Sequence, residues 1–151
     1  MGGTMRWRGH WLAGVLVLVV GCSSSGWSTG ALEKRHELVE RHVFGLPCEA
    51  LLPLIDQLLW DQGYRDVEEL DEGFGRETDW VEGSEVQAHQ RRVDIYYGGA
   101  ERCAVRSTIQ EVEQGQIVER RDRRWEWELL REVEPEVARQ MEAEARAGPE
   151  S

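Results

Sequence analysis

No apolar run in the chain approaches the roughly 20 residues a helix needs to cross a hydrocarbon core. The longest, Trp11 to Val20, covers ten of the 151 positions, which excludes a comfortable membrane span. Acidic residues are absent from the first 32 positions, and cysteine occurs only three times. A basic excess is also missing: 18 Lys and Arg stand against 29 Asp and Glu, and such a surface repels nucleic acid and anionic lipid head groups at long range. Catalytic fingerprints are lacking as well. There is no G-x-S-x-G, P-loop or dinucleotide motif, and Gly73-Phe74-Gly75 has no third glycine, so it marks a tight turn or close backbone packing. His36, Glu37 and His42 suggest a metalloprotease motif, but the histidines of HELVERH are six apart and do not share a helical face. We therefore expect a non-enzyme with no metal and no cofactor.

What is present begins at the N-terminus. Arg6, Arg8 and His10 precede the apolar run, and Cys22, three serines, Gly26 and Ser28 follow it. Charge, then apolar run, then small residues is the layout of an export signal. Val19, Val20, Gly21 and Cys22 resemble a bacterial lipobox, which implies acylation at Cys22 and removal of residues 1–21. One acyl chain anchors marginally, whereas two or more hold a protein at a membrane without a spanning helix. Ser23 on the same resemblance implies export to the outer membrane, facing the periplasm. The mature chain would keep 16 basic and all 29 acidic residues, a formal charge of −13. It is long enough for one domain with a modest core.

With Cys22 acylated, Cys48 and Cys103 remain. In an oxidising compartment an even pair reads as a candidate disulfide closing a loop of 55 residues, and the alternative is two separate buried thiols. Ser23 to Gly30 is Ser/Gly-rich, so residues 22–35 are expected to be a flexible tether, residues 36–146 the domain, and 147–151 a frayed tail. HELVERHVFGLP, with Leu38, Val43 and Leu46, fits a first strand or a helix up to about His42.

The periodicity predicts a long helix over CEALLPLIDQLLWDQGY, with Cys48, Leu51, Leu52, Ile55, Leu58, Leu59 and Trp60 on the core face and Gly63 as its stop. Pro53 conflicts with this, since its ring and missing N–H should delay or bend the helix. Beyond Gly63 the period shifts toward two, and YRDVEEL, GFGRETDWVEG, QRRVDIYYGG and ERCAVRSTIQEVE read as four strands of an antiparallel meander. Val93, Ile95 and Tyr97 share one face, as do Cys103, Val105 and Ile109, while Arg92, Asp94, Arg106 and Thr108 point to solvent. The segment from Glu119 returns to helical spacing with Trp125, Leu129, Val133, Val137 and Met141 on one side, and Pro135 starts a second piece. The expected fold is α+β: a four- to five-stranded antiparallel sheet packed against one long helix and a C-terminal helix.

This order, with LLWDQGY at Leu58–Tyr64, Thr78-Asp79-Trp80 and the lipobox, resembles the helix-grip domains of BamC-like outer-membrane assembly lipoproteins over roughly residues 42–143. The resemblance implies a helix-grip fold and a protein-interaction or scaffolding role in the envelope. The chain departs from that family in having one domain rather than two. Interaction candidates are Trp80 and the island Arg120, Arg121, Arg123 and Arg124 before Trp125 and Trp127, a composition able to hold phosphate or carboxylate groups. The same arginines can instead pair with Glu119, Asp122, Glu126 and Glu128. The expected partners are a membrane, through the lipid, and envelope proteins, with no nucleic acid. The alternative function is a periplasm-facing carrier of an apolar small molecule held between helix and sheet.

Overall fold

A computed structural model describes residues 26–70, 74–82 and 88–148. Cys22 and the whole of the expected export signal, residues 1–21, lie outside the described residues. The described residues form an α+β fold, with four helices and a five-stranded antiparallel sheet. Helix α1 spans Thr29–Glu40 and α2 Cys48–Asp61; the strands are β1 Val67–Leu70, β2 Gly75–Thr78, β3 His89–Tyr97, β4 Cys103–Glu113 and β5 Gln116–Arg121; α3 spans Arg123–Val133 and α4 Pro135–Ala147. Strand order follows chain order, so the sheet is a meander.

Helix α1 follows the helical reading of HELVERHVFGLP and starts earlier, at Thr29, among the residues expected as tether. Residues 29–35 are helical because Ser28 caps the N-terminus, its hydroxyl accepting from the Ala31 N–H at 3.2 Å. The helix then gains its stability by packing on α3 and α4. The strand-like residues after it contribute a single bridge, Phe44 with Cys103. That bridge occupies the edge of β4 below the point where β5 pairing ends.

Helix α2 forms as its periodicity requires, and it runs through Pro53. Cys48, Leu51, Ile55 and Leu59 are buried against the sheet, and Leu52 and Leu58 pack partly on the core. Trp60 was expected on that face but is 53% exposed; the Arg65 guanidinium covers its ring at 4.2 Å. Asp56 accepts from Arg76 Nε at 2.8 Å, which fixes the helix over β2. Gly75 lies where backbones approach closely, since a Cβ there would sit 3.0 Å from the Val93 carbonyl oxygen.

The fifth strand takes its last three residues, Glu119 to Arg121, from the segment expected to be helical. Gln114 and Gly115 have φ of 50° and 80°, the left-handed pair a two-residue hairpin loop needs. Glu113 and Gln116 therefore pair across it. Asp122 then caps α3, accepting from the Trp125 N–H at 3.0 Å. Pro135 opens α4 as expected.

Cys48 and Cys103 form a disulfide with a Cα separation of 5.0 Å, joining the start of α2 to the start of β4. Around it lie Val93, Ile95, Val105 and the α2 face, with Trp125, Leu129 and Leu130 of α3 extending the same core. Two face assignments change. Thr108 is buried, and Tyr97, at the end of β3, is half-exposed and donates its hydroxyl to Glu49 at 3.2 Å.

Candidate functional site

The expected basic and aromatic island does not form one surface. Trp125 and Trp127 are 1% and 5% exposed and belong to the core, because α3 buries the face that carries them. Arg120 and Arg121 sit on β5, not on a helix. Arg120 pairs with Glu111 and Glu113 of β4, and Arg121 holds Glu126 at 2.9 Å. Arg123 reaches Glu40 of α1, and Arg124 pairs with Glu128 at 3.3 Å, 85% exposed. Each of the four therefore has a carboxylate partner. Trp80 is 41% exposed and lines a small cleft of about 180 Å³ with Tyr64, Arg65 and Asp79.

A different cluster of arginines is brought together by the helices. Trp27, Arg35 of α1, Trp127 and Arg131 of α3, and Ala138, Arg139 and Glu142 of α4 line an open cleft of about 410 Å³. The Arg35 guanidinium carbon stands 4.7 Å from the Trp27 ring centre and 5.1 Å from that of Trp127. The cation thus lies against two indole rings, which hold it by cation–π attraction and accept none of its N–H groups. Arg35 makes no hydrogen bond among the described residues, and its Nε is buried without a partner. Burial, then the neighbouring Arg124 and Arg131 cations, hold its pKa below the ordinary guanidinium value, against the attraction of Glu142. Glu142 is itself engaged by Arg146 at 2.7 Å, and the Arg146 guanidinium also lies over the Trp27 ring at 4.6 Å. Arg139 pairs with Glu136, while Arg131 has no ion pair among the described residues. The cleft lining therefore sets three guanidinium groups against one carboxylate on a chain that is strongly acidic elsewhere.

Between this cleft and the sheet lies a buried ionic layer that fixes α3. Arg91 of β3 is 6% exposed; it donates to Ser107 Oγ at 2.8 Å and meets Asp122 at 2.9 Å, between the Tyr64 and Trp125 rings. Glu126 is 3% exposed and accepts from the Ser107 N–H and from Arg121 Nε, each at 2.9 Å. Burial raises the Glu126 pKa, partly offset by Arg121 and the Ser107 N–H. Glu40 shifts the other way, lowered chiefly by the hydrogen bond from Arg123. At the α3–α4 break, Glu134 accepts from the Gly45 N–H at 2.9 Å and contacts His42 Nε2 at 2.7 Å, tying the α1–α2 connection down.

Chemically, the cleft offers in-plane N–H donors and positive charge, the requirements for holding an oxyanion. Among the described residues no group of three or more His, Cys, Asp and Glu gathers to hold a metal ion. Sequence reasoning overlooked Arg35, Arg131 and Arg139 because they are far apart in the chain. One signal pointed to the cleft: Trp27 within a Ser/Gly-rich stretch, a ring too large for a solvated tether. No protein-family model, curated protein or solved structure matches the chain.

Proposed function

We propose that this chain is a lipid-anchored envelope lipoprotein, held by an acylated Cys22 at the outer membrane and facing the periplasm. It acts there as a protein-interaction or scaffolding module in outer-membrane assembly or maintenance. We read α2 and α3 lying against β3 and β4 as a helix-grip-like arrangement, as in BamC-like lipoproteins. The observation that carries the reading is the Cys48–Cys103 disulfide. Such a bond persists in the oxidising compartment that an exported chain reaches and not in a reducing cytosol. Two further features support an interaction role over a carrier. The α2 side chains Leu51, Ile55 and Leu59 are 0% exposed, so they fill the space where an apolar ligand would sit. Phe74 and Tyr97, in edge contact at 5.0 Å and each about half exposed, form an aromatic pair open to a partner.

Cys22→Ser tests the anchor. In a bacterial host with two membranes the wild-type chain is expected in the outer-membrane fraction as a processed species. The variant is expected uncleaved or released. A variant that fractionates as a processed membrane species like wild type overturns the reading.

A further inference from the structure

We propose that the cleft between α1, α3 and α4 is a binding site for a phosphate-type oxyanion. Arg35 supplies the strongest geometric reason. Its guanidinium carbon lies 4.7 and 5.1 Å from the Trp27 and Trp127 ring centres, and its buried Nε has no hydrogen-bond partner among the described residues. A guanidinium presented edge-on makes two parallel N–H···O bonds to one phosphate or carboxylate. Arg131 lines the same cleft without an ion pair, and Arg139 stands beside it. Glu142, the one carboxylate of the lining, is neutralised by Arg146. A folded protein seldom gathers like charges around an unsatisfied cation, and a bound anion would remove both the repulsion and the unpaired donor. The acidic surface elsewhere does not forbid this, because at physiological salt its field decays over about 8 Å while contacts inside the cleft act at bonding distance.

Two sources share this chemistry: free inorganic phosphate and the phosphate of an anionic lipid headgroup. The lipid source rests on the proposed anchor. Trp27 is five residues beyond Cys22, which keeps the cleft entrance within roughly 18 Å of the acyl chains even if that segment is fully extended. Arginine pockets at that distance from a bilayer are suited to headgroups.

The full chain, purified in an uncharged detergent without phosphate, is titrated with inorganic phosphate at constant ionic strength. In parallel it is titrated with nanodiscs of phosphatidylglycerol and of phosphatidylcholine. Binding is followed by tryptophan fluorescence, which Trp27 and Trp127 report, and by melting temperature. A saturable response to inorganic phosphate or to phosphatidylglycerol is expected, weakened roughly ten- to hundred-fold by Arg35→Gln and about ten-fold by Arg131→Gln. Arg106→Gln, an exposed sheet arginine, should leave it unchanged. Arg131 is exposed, so its variant folds even if Arg35→Gln does not. A response to phosphate alone assigns a free-anion site, and one to phosphatidylglycerol nanodiscs assigns a headgroup site. No saturable response to either, or a wild-type response in Arg131→Gln, overturns the proposal. The assay reads the cleft whether or not Cys22 is acylated. Phosphate binding by a chain shown to be unacylated would sink the proposed function and leave this inference standing, while an acylated chain that binds neither would do the reverse.

Discussion

The two halves of the molecule are held together by different physics. Where α2 meets the sheet, the contact is dry and covalently stapled: Leu51, Ile55 and Leu59 face Val93, Ile95 and Val105 around the Cys48–Cys103 bond. Where α1, α3 and α4 meet, the apolar contact of Val39, Trp127, Leu130 and Ala138 is rimmed by charge. Glu40 is shared by Arg121 and Arg123, Glu134 holds the α1–α2 connection, and stacked arginines line an open cleft. Apolar burial and a cross-link stabilise without leaving chemistry exposed, whereas ion pairs add little net stability but present groups a ligand can use. The first half is thus built as a scaffold, and the second is the half to which the proposed binding site belongs.

That contrast can be broken most forcefully at the staple. By the chain-entropy model a bridge spanning 55 residues contributes about 4 kcal/mol. Dithiothreitol should therefore lower the melting temperature of the wild type, and the Cys48→Ala, Cys103→Ala double variant should be indifferent to it. Two equal melting curves for the wild type, with and without reductant, would remove the staple from the account. Next in size is Leu59→Ala, at about 3 kcal/mol for the lost burial and the cavity left behind. Leu58→Ala, one residue away and only partly buried, should cost clearly less in the same denaturant titration. Equal costs would mean that α2 is rotated from the position described.

On the charged side, Asp122→Ala takes away the α3 cap and leaves Arg91 with Ser107 as its hydrogen-bonding partner. A loss of about 2 kcal/mol in chemical denaturation is expected. Glu126 sharpens the comparison through pH. Its folded pKa is raised above the ordinary carboxyl value of 4.5, so the folded state holds this proton more tightly than the unfolded state. Its contribution is present below 4.5 and is lost as pH rises through the folded value. The wild type should therefore lose stability relative to Glu126→Gln as pH rises from about 4.5 toward neutrality, and parallel pH profiles would contradict the burial assigned to it. The smallest effect belongs to Arg124→Ala, whose exposed pair should be worth less than about 0.5 kcal/mol.

The dry half was largely legible in the sequence. The three- and four-residue spacing of Cys48, Leu51, Ile55 and Leu59, the stop at Gly63 and the alternation of Val93 and Ile95 all report burial through local periodicity. The charged half was read poorly, because its contacts depend on residues distant in the chain. The hairpin at Gln114-Gly115 lacks the Asn-Gly or Asp-Gly pair that marks such turns, so β5 merged into the helical pattern that follows. Arg91 shares the core parity of Val93, yet an arginine is not assigned to a core until Ser107 and Asp122 are seen to satisfy it. Leu58 and Trp60 show the limit of the helical stripe: at its margins, residues satisfying the same spacing are half-buried or exposed. The cleft was illegible because Arg35, Arg131 and Arg139 converge only when three helices pack.

The most direct test is the intact mass of the protein purified from the envelope, alkylated without prior reduction. The account predicts a chain that begins at an acylated Cys22, with Cys48 and Cys103 unalkylated because they are bonded to each other. A mass that retains residues 1–21 and carries no lipid, or that shows alkylation at Cys48 and Cys103, would contradict it.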